Sequence, residues 1–123
     1  MHIYDRRSRK PSLLAVLGAL LAATAIGLSA YASHGVADAV LQSRLQTAAL
    51  YAFGHGAVLA VLGAATECAL PRLALYLLLL GTLLFSGSLA AGVLLQASTR
   101  LAPVGGVTMM AGWVLLALAA MRR

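Results

Sequence analysis

Carboxylates are almost missing from this chain: Asp5, Asp38 and Glu67 are the only ones in 123 residues. The net charge of +6 therefore rests on a handful of basic residues. There is one cysteine, Cys68, which excludes an intrachain disulfide and a multi-cysteine metal site. Aromatics make up 6% of the chain and are not interleaved with the arginines, so the basic charge does not form a nucleic-acid patch. No nucleic-acid partner is expected. Missing too are a nucleotide-binding glycine loop, a metal-ligand cluster and a serine–histidine–acid set, so no cofactor and no enzymatic role are expected.

What the chain does have is apolar length. Hydrophobic residues make up 62% of it and the mean hydropathy is +0.94. A water-soluble domain of this size would need far more polar residues to cover its surface. Residues 1–12 form a basic tail with Arg6, Arg7, Arg9 and Lys10. Four runs without a charge follow, at about 13–33, 47–66, 73–96 and 104–121. Each is long enough to cross a bilayer core of about 30 Å. In lipid a segment of this kind becomes a helix, because only a helix satisfies its backbone internally. The expected fold is all-α, a four-helix bundle that spans the membrane, with lipid as its first partner. Pairs of small residues four apart suit close helix contacts: Gly18/Ala22, Ala23/Gly27, Ser88/Gly92 and Thr108/Gly112.

Orientation follows from the basic residues. Seven of them (Arg6, Arg7, Arg9, Lys10, Arg72, Arg122 and Arg123) lie at the termini and the second connection. Only Arg44 and Arg100 lie in the first and third. The positive-inside rule places both termini in the cytoplasm. The basic start, the first apolar run and Ala30-Tyr31-Ala32 also look like a secretory signal peptide. The run is long for that role, and the expected chain stays intact. Arg44-Leu45 and Arg100-Leu101 hold like places in the two halves, a hint of a repeat that sequence alone leaves open.

Several motifs, in order, resemble one family. Ser29-Ala30-Tyr31-Ala32-Ser33-His34-Gly35 is similar to the Gly-Ala-Phe-Gly-Ala-His-Gly signature of the domain of unknown function 423 family. These are YgdD-like small bacterial membrane proteins, related to a mitochondrial membrane protein of animals. Gln46-Thr47-Ala48 with Tyr51 and His55 resembles the family's second helix. Leu84-Phe85-Ser86-Gly87-Ser88-Leu89 resembles its third, and Pro103-Val104-Gly105-Gly106 with Gly112-Trp113 its fourth. Departures are Ser29 and Ala32 for glycines, Leu45 for a tryptophan and Ala102 for a threonine. The resemblance implies four spans in the bacterial inner membrane. It implies no activity.

Counting inward from the hydropathy boundaries puts His55 near the midplane. Tyr51, Ser86, Ser88 and Thr108 are then expected at similar depth, forming a polar layer in the outer half. His55 needs hydrogen-bond partners there, and Ser86, Ser88 or a backbone carbonyl would fasten the second run to the third. His34, Arg44 and Gln46 are expected at the outer rim, and Trp113 as packing between helices. The expected role is a non-catalytic component of a membrane assembly, as a homo-oligomer or part of a larger complex. The alternative is binding or transport of a small solute or lipid through the layer around His55.

Overall fold

The structure, a computed structural model, describes residues 11–122, so the basic tail before Pro11 and Arg123 lie outside the described residues. It consists of α1 (Leu13–Gly35), α2 (Ala39–Leu62), α3 (Ala69–Leu94) and α4 (Leu101–Met121), with no strand among the described residues. All four are long and apolar enough to cross a membrane.

Local chemistry sets the helix ends. Ser12 caps α1 by accepting the Ala15 N–H on its Oγ at 3.2 Å. Asp38 caps α2, its Oδ1 accepting the N–H groups of Val40 and Leu41 at 2.9 and 3.0 Å. Pro71 and Pro103 sit in the first turns of α3 and α4, where a missing N–H costs nothing. At the far end of α3, Gln96 turns the chain with a left-handed φ of 56°.

The second helix departs most from the hydropathy reading. It begins at Ala39, eight residues before Thr47, because the Asp38 cap starts a helix that continues through polar Gln42, Arg44 and Gln46. The first connection is therefore only residues 36–38, not a long outer loop. Helix formation follows backbone capping, whereas the hydropathy boundary follows side-chain polarity.

The helices pack as two antiparallel hairpins, α1 on α2 and α3 on α4, joined through α2 and α3. Among the described residues, no Cα of α4 comes within 8 Å of α1 or α2. Glycine allows the close approach inside each hairpin. A Cβ on Gly56 would lie 2.7 Å from the Gly18 carbonyl oxygen and 2.8 Å from the Ala22 nitrogen. In the second hairpin, a Cβ on Gly81 would lie 2.8 Å from the Gly105 oxygen and 2.7 Å from the Met109 nitrogen. Gly112 packs against Leu78, whereas a Cβ on Gly27 would meet nothing within 4 Å. Of the expected small-residue pairs, Gly18/Ala22 thus lies in a helix contact and Gly27 does not.

Where the hairpins meet, Leu14, Leu59, Leu75 and Leu78 form a buried cluster with Val58, Leu62 and Leu79 against it. Outside, Leu20, Leu50, Val61, Met110 and many other large apolar side chains are exposed. A soluble monomer rarely shows apolar surface on this scale. Lipid is the solvent that fits it.

Candidate functional site

His55 is a buried polar residue at the joint, 8% exposed on the face of α2 turned toward α3 and α4. Trp113 of α4 reaches across to it, its indole N–H donating to His55 Nε2 at 3.0 Å. An indole nitrogen can only donate, so Nε2 must present its lone pair. The ring proton then sits on Nδ1, which donates to the Tyr51 carbonyl oxygen at 2.9 Å. Both imidazole nitrogens are used within the protein, and the tautomer is fixed by the partner of each.

Three aromatic rings form a chain of contacts through His55. Tyr51 lies one turn along α2 with its ring near-parallel to the imidazole, centroids 6.1 Å apart. It also meets the edge of Phe85 on α3 at 4.9 Å. Trp113 crosses the imidazole at 62° with centroids 5.8 Å apart. Residues of three helices are therefore linked in series, Phe85 of α3 through Tyr51 and His55 of α2 to Trp113 of α4. Trp113 itself is 43% exposed, so its outer edge faces lipid while its N–H points inward.

Of the expected polar layer, only Tyr51 and His55 come together. The Tyr51–Phe85 contact fixes the register of α2 against α3. It sets Ser88 opposite residue 48, seven residues from His55 along the helix, or about 10 Å. Ser88 instead leans toward the Ser98 carbonyl in the α3–α4 connection at 3.5 Å. Thr108 turns back on its own helix to the Val104 carbonyl at 2.8 Å. Ser86 is buried and its Oγ has no partner in the structure. The fastening therefore runs from α2 to α4 through Trp113, not from α2 to a serine of α3. Placing α2's start at Thr47 caused the difference, since His55 lies sixteen residues from the true start, about 24 Å along the axis.

The rim residues divide in the same way. Gln46 joins α2 to α1: its Nε2 donates to the Ser33 hydroxyl at 2.8 Å and the Ser29 carbonyl at 3.1 Å, while its Oε1 accepts from the Ser29 hydroxyl at 2.7 Å. One turn closer to the connection, Gln42 donates to the Ala32 carbonyl at 2.9 Å. Sequence reasoning passed over Gln42, although its place one turn before Gln46 was a signal. His34 and Arg44 are exposed. His34, Ser29, Ser33 and Gln46 line one side of a groove of about 520 Å³, with Ala25 and Phe53 among its apolar walls. At the opposite end, Arg72 donates to the Thr66 carbonyl at 3.1 Å and lies over the Tyr76 ring, 5.9 Å from its centroid.

A family model described as a protein of unknown function, DUF423, matches residues 28–106, well over half of the chain. The chain belongs to the DUF423 family. Similar bacterial proteins are named as membrane proteins. A UPF0382 membrane protein of Staphylococcus aureus is 33% identical over 114 residues, covering 87% of this chain and 93% of that one. One from Staphylococcus epidermidis is equally similar over the same shares. One from Staphylococcus haemolyticus is 32% identical over 111 residues, covering 85% and 91%. No solved structure matches. This DUF423 protein is a membrane protein, and the family's description names no activity. The matched segment takes in Gln46, Tyr51, His55 and Phe85 but ends before Trp113.

Proposed function

We propose that this DUF423 protein is a non-catalytic component of an assembly in the bacterial inner membrane, with both termini in the cytoplasm. The observation that carries the reading is the use of both His55 nitrogens inside the protein. An imidazole engaged in this way has no free lone pair to ligate a metal and no free nitrogen to relay a proton. The remaining hydroxyls are dispersed along the helices and do not converge on a reacting atom. The seven-to-two distribution of basic residues supports the orientation. Crosslinking in membranes followed by gentle detergent purification tests the role. Discrete higher-mass species are expected; a strict monomer with no associated protein contradicts it.

One observation favours a second reading, binding of a small solute or lipid. The groove beside Ser29, Ser33, His34 and Gln46 is roomy and has a polar margin with apolar walls. In this reading the polar end of α1 and α2, not His55, carries recognition. Gln46→Leu would abolish ligand retention while leaving the chain in the membrane, and unchanged retention removes the reading.

A further inference from the structure

The two hairpins are one arrangement used twice. Ser12 and Cys68, the caps of α1 and α3, lie 56 residues apart. The same offset carries one set of contacts onto the other. Gly56 faces the Gly18 carbonyl oxygen, and Gly112 faces that of Ala74. Gly105 faces Gly81, and their counterparts Ala49 and Ala25 are both buried. At the connections the same pair of places is bonded with the direction reversed: Gln42 donates to the Ala32 carbonyl at 2.9 Å, and Ser88, the counterpart of Ala32, donates to the carbonyl of Ser98, the counterpart of Gln42, at 3.5 Å. Positions 18/74, 25/81, 32/88, 49/105 and 56/112 are buried in both halves. The Arg44-Leu45 and Arg100-Leu101 pairs fall on this register.

Two like hairpins closed about a two-fold axis would set α4 against α1 as α2 is set against α3. These do not close in this way: among the described residues, no Cα of α4 comes within 8 Å of α1. The joint runs from α2 of the first unit to α3 of the second, which leaves the equivalent faces of α4 and α1 open. Leu75, Thr82 and Ser86 are buried along α3, whereas Ala19, Ile26 and Ala30 at the matching places on α1 are exposed. Ala48, Ala52 and His55 are buried on α2, whereas Val104 and Ala111 are exposed on α4 and Thr108 is half-buried. A head-to-tail joint of this kind offers its unused halves to another copy. The open α1 face is mostly alanine, which permits close helix approach in lipid.

We propose that these faces are the contact with a second copy of this chain, α4 of one copy lying against α1 of the next and repeating the α2–α3 joint. Register follows from the joint already present. Leu59 clusters with Leu75, and Tyr51 meets Phe85. Moved by 56 residues, these set Leu115 level with Ala19 and Val107 level with Ser29 of the neighbouring copy. Between them Ala111 meets Ala23, and Thr108 meets Ile26 one turn on. The proposal deepens the assembly reading by naming the partner.

The test uses the full chain with Cys68→Ser, carrying Ala23→Cys under one tag and Ala111→Cys under another, co-expressed and oxidised in native membranes. A disulfide-linked band bearing both tags is expected, at least tenfold above any band from either variant expressed alone. Ile26→Cys with Thr108→Cys, paired in the same way, should behave alike. Self-linking of single variants would overturn the proposal, since it means a two-fold interface. So would the absence of links in both pairs when N-ethylmaleimide labels all four thiols in those membranes. A chain that joins only other proteins would give that second result yet still purify with a partner, which separates failure of this inference from failure of the assembly reading.

Discussion

The first hairpin, α1 with α2, and the second, α3 with α4, share a backbone contact but differ in what surrounds it. Both use glycine to bring helices close. The first adds a polar clasp at its connection, Gln42 and Gln46 against Ser29, Ser33 and the Ala32 carbonyl. The place matching Gln46 in the second hairpin is Ala102, buried and apolar. Its interior also differs: Thr82 donates to the Leu78 carbonyl and lies 3.6 Å from the Met109 sulfur, a weak cross-helix contact. Close glycine packing is thus the common requirement, and the glutamine clasp is an addition made in the first half, where the second has only the long Ser88–Ser98 and Thr82–Met109 contacts. Packing and interhelical bonds are the forces left once lipid removes the hydrophobic drive between helices.

The largest effect should come from filling the shared contact. Gly56→Leu and Gly105→Leu each force two backbones apart, and each should cost about 3 kcal/mol or more in detergent unfolding. Gly54 and Gly87 have nothing within 4 Å of a Cβ, so Leu there should change stability by less than about 0.5 kcal/mol. Equal losses at all four positions would dissolve the distinction between contact and non-contact glycines. Next is Gln46→Leu, which removes three bonds at one hairpin and should cost about 1–2 kcal/mol. Ala102→Gln, its counterpart, should gain nothing, because Ala102 is buried with no serine pair opposite it. Trp113→Phe keeps a ring but deletes the donor to His55, and about 1 kcal/mol is expected from the same unfolding measurement. Gln96→Gly acts in the opposite direction: it suits the left-handed turn after α3 and should stabilise by about 0.5–1 kcal/mol.

Much of the fold was legible because charge-free length is unambiguous in a chain with so few acidic residues. The helices at 13, 69 and 101 begin within four residues of the expected runs. The start of α2 was not legible from hydropathy, since Gln42, Arg44 and Gln46 make a helical segment look like a loop. The signal that would have found it was Asp38, an N-cap residue just ahead of it. That single boundary decided the candidate site. With α2 started too late, His55 came out level with Ser88, and a serine partner on α3 followed. The sequence did flag His55 as needing partners, and it flagged Trp113 as packing between helices. Their pairing was hidden, because 58 residues separate them and no pattern links a tryptophan on α4 to a histidine on α2. The fate of the hydroxyls was equally hidden, since a Ser or Thr in a helix can satisfy itself on the preceding turn, as Thr108 does.

The fastening role of His55 is the point on which the functional reading turns, and the protonation pattern of its ring tests it most directly. Nitrogen NMR of histidine-labelled protein in lipid, with His2 and His34 replaced by Gln, reads the two ring nitrogens of His55 separately. A neutral ring with the proton on Nδ1 is predicted, with the Nε2 signal shifting on Trp113→Phe. A proton on Nε2, or an Nε2 signal indifferent to Trp113, would contradict the account and leave that nitrogen free for a ligand.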